Sequence, residues 1–95
     1  MSASLAESSV RVELYRTRYC GYCTLAARVL DQRGVPFTEI DVSGDQERRR
    51  WLAQVTGRRT VPQIFIDGRS ICGYEELAAL ARRGELERLL GVAPE

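Results

Sequence analysis

Two short strand-like segments separated by one helical stretch constrain this chain more than any other feature. Val10-Arg-Val-Glu-Leu-Tyr15 alternates apolar and polar residues, which predicts a strand with Val10, Val12 and Leu14 on one face. After it, Leu25, Ala26, Val29 and Leu30 recur at helical spacing until Gly34 ends the helix and Pro36 prevents its continuation. Phe37-Thr-Glu-Ile-Asp41 then reads as a second strand. A helical link cannot fold as a tight hairpin, so the two strands are expected parallel with a right-handed crossover.

The rest of the chain adds elements to that unit. Ser43-Gly-Asp45 opens a second helix, with Asp45 as its N-cap and Gly57 as its stop; Trp51, Leu52 and Val55 are its expected buried residues. Gln63-Ile-Phe-Ile66 is a compact apolar strand. Asp67-Gly68 is a strong two-residue hairpin signal, and Arg69-Ser-Ile71 is the returning strand. Gly73 precedes a third helix carrying Leu77, Ala78, Leu80 and Ala81, Gly84 breaks it, and Glu85 to Leu90 forms one further helical piece. The expected order is β-α-β-α-β-β-α, an α/β chain with one four-stranded mixed sheet covered by helices.

With 95 residues the chain is one small domain, so its core is thin: a domain of this size buries roughly 60–65% of the surface its unfolded chain exposes. The expected division is a flexible N-terminal tail over residues 1–9, a domain over 10–91 and a C-terminal tail over 92–95. Fourteen basic and thirteen acidic side chains leave a net charge of only +1, which gives no bulk attraction to nucleic acid or to an anionic membrane. No run of about 18 apolar residues is present to span a bilayer. The N-terminal stretch lacks the basic and apolar regions of a secretory signal, so a cytoplasmic, reducing setting is expected. Histidine and lysine are both absent. Ser-His-Asp and Cys-His catalysis, imidazole-dependent zinc sites, Schiff-base chemistry and a P-loop lysine are therefore excluded.

What chemistry remains centres on Cys20-Gly-Tyr-Cys23. A Cys-x-x-Cys pair is half of a structural zinc site, a redox dithiol, or two inert buried thiols. Zinc needs four ligands, and here the third cysteine, Cys72, lies far along the chain with no second such pair. Placement favours the dithiol: the motif follows a strand and opens a helix. The first sulfur then meets unpaired backbone N–H groups and the positive end of the helix dipole, which favour a thiolate. An ordinary thiol with pKa ~8.5 is only about 3% ionised at pH 7. Lowering it to ~5 requires about 4–5 kcal/mol, of which a helix terminus supplies up to ~2. Backbone N–H groups of Tyr22 and Cys23 and the charges of Arg16 and Arg18 are expected to supply the remainder. Cys20 is accordingly the expected nucleophile and Cys23 the resolving thiol.

Two further pieces fit beside this pair. In Thr60-Val61-Pro62 the proline opens an apolar strand without a ladder donor; with a cis bond, Val61 offers backbone groups to an extended peptide. Gly73-Tyr-Glu-Glu76 begins a helix, where backbone N–H groups receive an anion and the acidic residues complement the dipole. The Arg48-Arg-Arg50 run reads first as a solvated face and second as a contributor to anion binding.

Taken together, Val12-Glu-Leu-Tyr15, Cys20-Gly-Tyr-Cys23, Gly57-Arg-Arg-Thr-Val-Pro-Gln-Ile-Phe-Ile-Asp67 and Ile71-Cys-Gly-Tyr-Glu-Glu-Leu77 resemble the glutaredoxin family, over about residues 10 to 90. The bacterial dithiol members are most similar. The resemblance implies a thioredoxin-like fold and glutathione-dependent thiol–disulfide exchange by a monomer whose partners are glutathione and disulfide-bearing or glutathionylated proteins. It implies that Tyr22, Thr60, Val61 and Pro62 border the glutathione. It also implies that Gly73, Tyr74 (through its backbone), Glu75 and Glu76 hold the γ-glutamyl end. Arg49, with Arg59 nearby, would reach the glycine carboxylate. Three positions depart from the family pattern. Gly21 replaces a common proline, as in relatives that hold a [2Fe-2S] cluster between two protomers, so such a cluster is an alternative. Thr17 replaces a usual lysine. Cys72 replaces the first of two glycines and reads as a small filler or an extra redox site. A relative using another thiol donor, such as mycothiol, is the remaining alternative.

Overall fold

The computed structural model describes residues 10–92; the tail expected at 1–9, and all but Val92 of the tail expected at 92–95, lie outside the described residues. Four strands and four helices follow in the order β1 (Val12–Arg16), α1 (Gly21–Gln32), β2 (Thr38–Asp41), α2 (Gln46–Thr56), β3 (Gln63–Ile66), β4 (Arg69–Cys72), α3 (Tyr74–Arg82) and α4 (Glu85–Leu90). The strands form one sheet in the order β2-β1-β3-β4. β1 pairs parallel with β2, with Leu14 opposite Glu39, as the helical link demands. β3 runs antiparallel to both β1 and β4, and its pairing with β4 slips between Ile64 and Phe65.

Local chemistry explains the element ends. Asp45 caps α2, its carboxylate accepting the Arg48 N–H at 3.0 Å. The β3–β4 turn places Asp67 and Gly68 at φ 52° and 80°, the left-handed pair that a two-residue hairpin of matching twist requires. Asp67 also ties this turn to the chain entering β1: its Oδ1 accepts the Arg11 N–H at 2.9 Å, and its own N–H donates to the Arg11 carbonyl at 2.7 Å. Val10, expected as the first residue of β1, precedes the strand and packs half-buried on the core. Phe37 likewise lies just outside β2 and packs against the core.

The two faces of the sheet are covered unequally. On one, Val12, Leu14, Ile64 and Ile66 pack with Ala26, Ala27 and Leu30 of α1, Leu77 of α3, and Leu86 and Leu90 of α4. Each fully buried Leu contributes about 1.5–3 kcal/mol relative to exposure. On the other face α2 packs over Tyr15, Val42 and Phe65 with Leu52 as its only buried residue. This corrects three expectations. Trp51 and Val55 are 42% and 52% exposed, because one buried leucine is all that this smaller core accepts from α2. Trp51 lies over the edge of that core, its ring 5.9 Å from Tyr15 and 6.1 Å from Phe65. In α1 Leu25 is 37% exposed, and the small Ala27 takes the inward position where α1 meets the sheet. Val92 packs on the larger core, its N–H donating to the Glu87 carbonyl at 3.1 Å.

Candidate active site

β1 ends at Arg16, and the chain reaches α1 through Thr17, Arg18 and Tyr19, which places Cys20 at the N-cap. Its backbone is extended, at φ −132° and ψ 107°, and its Sγ takes the capping role, accepting the Cys23 N–H at 3.2 Å. Cys23 N–H is the donor found at that sulfur. The same Sγ lies 3.9 Å from the Val61 carbonyl oxygen. Both cysteines are free thiols, with Cys20 half-buried and Cys23 fully buried. Burial, and next its hydrogen bond with the Cys20 side chain, push the Cys23 thiol up to about 12. Arg16 opposes that shift and is held against the start of α1, donating to Thr24 Oγ1 at 3.4 Å while facing Glu39 at 3.6 Å. Arg18 points outward to Asp41 at 3.9 Å.

A groove of about 360 Å³ opens beside Cys20, lined by Tyr22, Arg58, Thr60, Val61, Pro62, Gly73, Tyr74, Glu75 and Glu76. It brings together every expected binding residue but one. The Val61–Pro62 bond is cis. Val61 N–H has no hydrogen-bond partner among the described residues. The loop behind it is tied down from below by Gln63, a buried amide in an otherwise apolar strand, whose Nε2 donates to the Arg58 and Thr60 carbonyls, both at 3.0 Å.

The opposite wall is the first turn of α3. The walls stand close at Gly73, where a Cβ would make ordinary contact with the Pro62 carbonyl oxygen at 3.4 Å. Glu76 Oε1 accepts the Gly73 N–H at 3.0 Å, half of a capping box; the other half needs a side chain that glycine lacks. Its Oε2 lies 2.9 Å from Arg58, whose hydrogen bond is the main cause of a carboxyl held below the usual carboxylate range. Glu75 is exposed. Tyr74 enters with its ring as well as its backbone, the ring centroid standing 5.7 Å from that of the exposed Tyr22.

Arg49 lies elsewhere. It lines a separate depression with Gln46, Arg50, Ala53 and Arg59, and donates to the Arg59 carbonyl at 3.3 Å. Larger depressions lie elsewhere on the surface, and neither they nor the groove are lined by Cys20 or Cys23, the Cys20 sulfur reaching the groove's edge at the Val61 carbonyl. Cys72 ends β4 immediately before the groove, half-buried and at φ 79°. Among the described residues no three or more Cys, Asp or Glu side chains gather as a metal site. No helix among them is long and apolar enough to cross a membrane.

Arg58 and Gln63 are groove-forming residues that sequence reasoning missed. An amide opening the apolar run Ile64-Phe-Ile66 was the available signal for Gln63, because a buried amide needs partners. Arg58 carried no such signal, its partner being 18 positions away.

A dithiol at a helix start, facing a cis-proline loop across a groove, can be compared with known proteins. The glutaredoxin family model matches residues 12–71. The chain belongs to the glutaredoxin family. Glutaredoxin 3 of Escherichia coli strain K12 is 43% identical over 79 residues, spanning 83% of this chain and 95% of that protein. A glutaredoxin of Pseudomonas aeruginosa is also 43% identical, over 83% of this chain and 94% of its own length. Among solved structures, a buckwheat glutaredoxin–glutathione complex superposes with a TM-score of 0.83 at 31% identity, covering 92% of this chain and 86% of that one. A glutaredoxin from Brucella melitensis gives 0.79 at 40% identity, covering 87% and 90%. The fold is therefore the thioredoxin-like α/β fold that the resemblance implied, and the activity class is the family's, thiol–disulfide oxidoreduction.

Proposed function

We propose that this glutaredoxin uses glutathione to reduce protein disulfides and protein–glutathione mixed disulfides. The observation that carries the reading is the position of the Cys20 sulfur: at the start of α1, bonded by the Cys23 N–H, and 3.9 Å from the Val61 carbonyl at the edge of a groove. An N–H aimed at sulfur stabilises the negative charge it carries as nucleophile or leaving group. The Cys20 thiolate attacks the glutathionyl sulfur of a mixed disulfide. A Cys20–glutathione disulfide forms as the protein thiolate leaves and takes a proton. A second glutathione thiolate then attacks the glutathionyl sulfur, releasing oxidised glutathione and restoring Cys20. With a protein disulfide, Cys20 bonds to one protein sulfur as the other leaves as a thiolate and takes a proton. Cys23, giving up its proton, then attacks Cys20 and releases the second protein thiolate. Two glutathione thiolates in turn reduce the Cys20–Cys23 disulfide and leave as oxidised glutathione. Burial protects Cys23 from outside disulfides while leaving it one helical turn from Cys20.

The groove fits a short peptide with a zwitterionic end. Val61 has an N–H without a partner among the described residues, and a carbonyl, for an extended cysteinyl backbone. The first turn of α3 offers backbone N–H groups to a carboxylate, and Glu75 offers a carboxylate to an ammonium. In this reading Tyr22, Thr60 and Pro62 border the ligand, Arg58 takes a place at the groove, and Arg49 stays outside it. The supporting relative is the buckwheat glutaredoxin, solved with glutathione.

The deciding experiment is a glutathione-coupled assay on a glutathionylated peptide. Cys20→Ser should abolish turnover, while Cys23→Ser should retain deglutathionylation and lose reduction of protein disulfides. Full activity of Cys20→Ser, or turnover with mycothiol but not glutathione, would overturn the assignment.

A further inference from the structure

One side chain crosses between the two walls of the groove. The Arg58 guanidinium leaves the loop after α2 and meets Glu76 on α3, with Nη2 at 2.9 Å from Oε2 and Nη1 at 3.5 Å from Oε1. Oε1 also accepts the Gly73 N–H at 3.0 Å, so both carboxylate oxygens are committed. The loop end of the bridge is fixed in turn. Arg58 N–H donates to Thr56 Oγ1 at 3.1 Å, and its carbonyl receives Gln63 Nε2 at 3.0 Å. Glu75, one position before Glu76, has no ion-pair partner among the described residues.

The charge balance at this end of the groove follows. With Arg58 in place Glu76 is neutralised, and Glu75 is the one free carboxylate of the turn. Without Arg58, two adjacent carboxylates would stand there, and a ligand carboxylate approaching the α3 N–H groups would be repelled by both. We propose that Arg58, acting through Glu76, makes this end of the groove select an amino-acid head group that carries a carboxylate beside its ammonium over one that carries an ammonium alone. Arg58 is then a positioning residue for specificity. The inference rests on the glutathione reading above and names the residue that sets its selectivity.

The test uses one reporter peptide in three mixed disulfides. The first carries glutathione, the second an analogue whose γ-glutamyl group is replaced by 4-aminobutyryl (ammonium only), and the third an analogue replaced by glutaryl (carboxylate only). In Arg58→Gln, KM for the glutathione and glutaryl substrates should rise about fivefold, the scale of an exposed ion pair, with kcat moving far less. KM for the 4-aminobutyryl substrate should fall or hold. Arg58→Gln/Glu76→Gln should recover the glutathione substrate, because the unmasked carboxylate is gone, and Arg58→Lys, which keeps the charge but not the two-point contact, should lose less than Arg58→Gln. Equal losses on all three substrates, with no recovery in the double variant, would reduce Arg58 to a structural tie and overturn the inference. Thermal melts of each variant separate that outcome from misfolding. A wild type that ignores glutathionylated peptide altogether would end the glutathione reading, and this inference with it, before any variant is compared.

Discussion

The sulfur of Cys20 and the backbone N–H of Cys23 meet at 3.2 Å, so the first cysteine caps the helix in which the second is buried. One interaction therefore orients the sulfur and divides the dithiol into an accessible member and a protected one. Cys20 is half-buried; Cys23 has no exposed surface, and its thiol is pushed up to about 12.

This division predicts a strong alkylation bias. At pH 7.5 only a trace of Cys23 is thiolate, and the reagent has no path to it, whereas Cys20 is reachable. Iodoacetamide should modify Cys20 at least ~100-fold faster than Cys23 in the reduced protein. Peptide mapping by mass spectrometry over a time course measures both rates. Comparable labelling at the two positions would mean that Cys23 is not protected by the fold.

The same shift makes stability depend on alkaline pH. The Cys23 thiol ordinarily titrates near 9.0, and in the fold near about 12, so its folded pKa is raised. Its contribution is fully present below 9 and is lost as pH rises toward 12, because the unfolded chain then releases a proton that the folded chain retains. Urea denaturation with reductant present should show the wild type losing stability faster than Cys23→Ala between pH 9 and 10.5. The difference should be at most about 1.4 kcal/mol per pH unit. Parallel curves for the two proteins would contradict the shift.

The architecture was legible wherever local chemistry decides it. Gly34 with Pro36 forced a break, Asp67-Gly68 named its turn, and the strand-cysteine-helix order placed the dithiol at a helix start. What escaped depends on contacts distant in sequence. The apolar spacing of α2 marks Trp51, Leu52 and Val55 alike, but the core beneath that helix is small enough to take only Leu52. In the groove, the Thr60–Pro62 loop and the α3 turn stood out in the sequence itself, and the family resemblance added Tyr22. The bridge from Arg58 to Glu76 did not stand out, since either residue alone reads as an exposed charge. Arg49 shows the converse: the family resemblance put it at the ligand, and its side chain donates to the Arg59 carbonyl outside the groove.

The uneven core makes a graded prediction for substitutions. Leu30 is fully buried between α1 and the sheet, so Leu30→Ala should cost about 2–5 kcal/mol. Val55→Ala, at a residue 52% exposed, should stay within about 0.5 kcal/mol. Trp51→Ala should fall between them, since its ring pairs with Tyr15 and Phe65 are worth about 0.5–1.5 kcal/mol each. Chemical denaturation orders the three; a Val55 cost equal to that of Leu30 would contradict the packing of α2.

Gln63 offers a test of how the groove is held. Its amide joins two carbonyls of the loop, those of Arg58 and Thr60, from a buried position in β3. Gln63→Leu keeps the size of the side chain but removes both donors, leaving two loop carbonyls to find water or other partners. The expected cost is about 1–3 kcal/mol of stability. Its own Oε1 is buried without a partner among the described residues, so removing that oxygen returns part of the cost and favours the lower end of the range. Because the loop carries Thr60 and Val61, the variant should also raise KM for a glutathionylated peptide more than it lowers kcat, the Cys20–Cys23 pair being untouched. Gln63→Glu would replace the donating amide with a carboxylate facing two carbonyl oxygens, and should be worse than Gln63→Leu on both counts. Denaturation curves and steady-state kinetics on the two variants measure this order, and a glutamate variant as stable as wild type would show that the amide does not hold the loop.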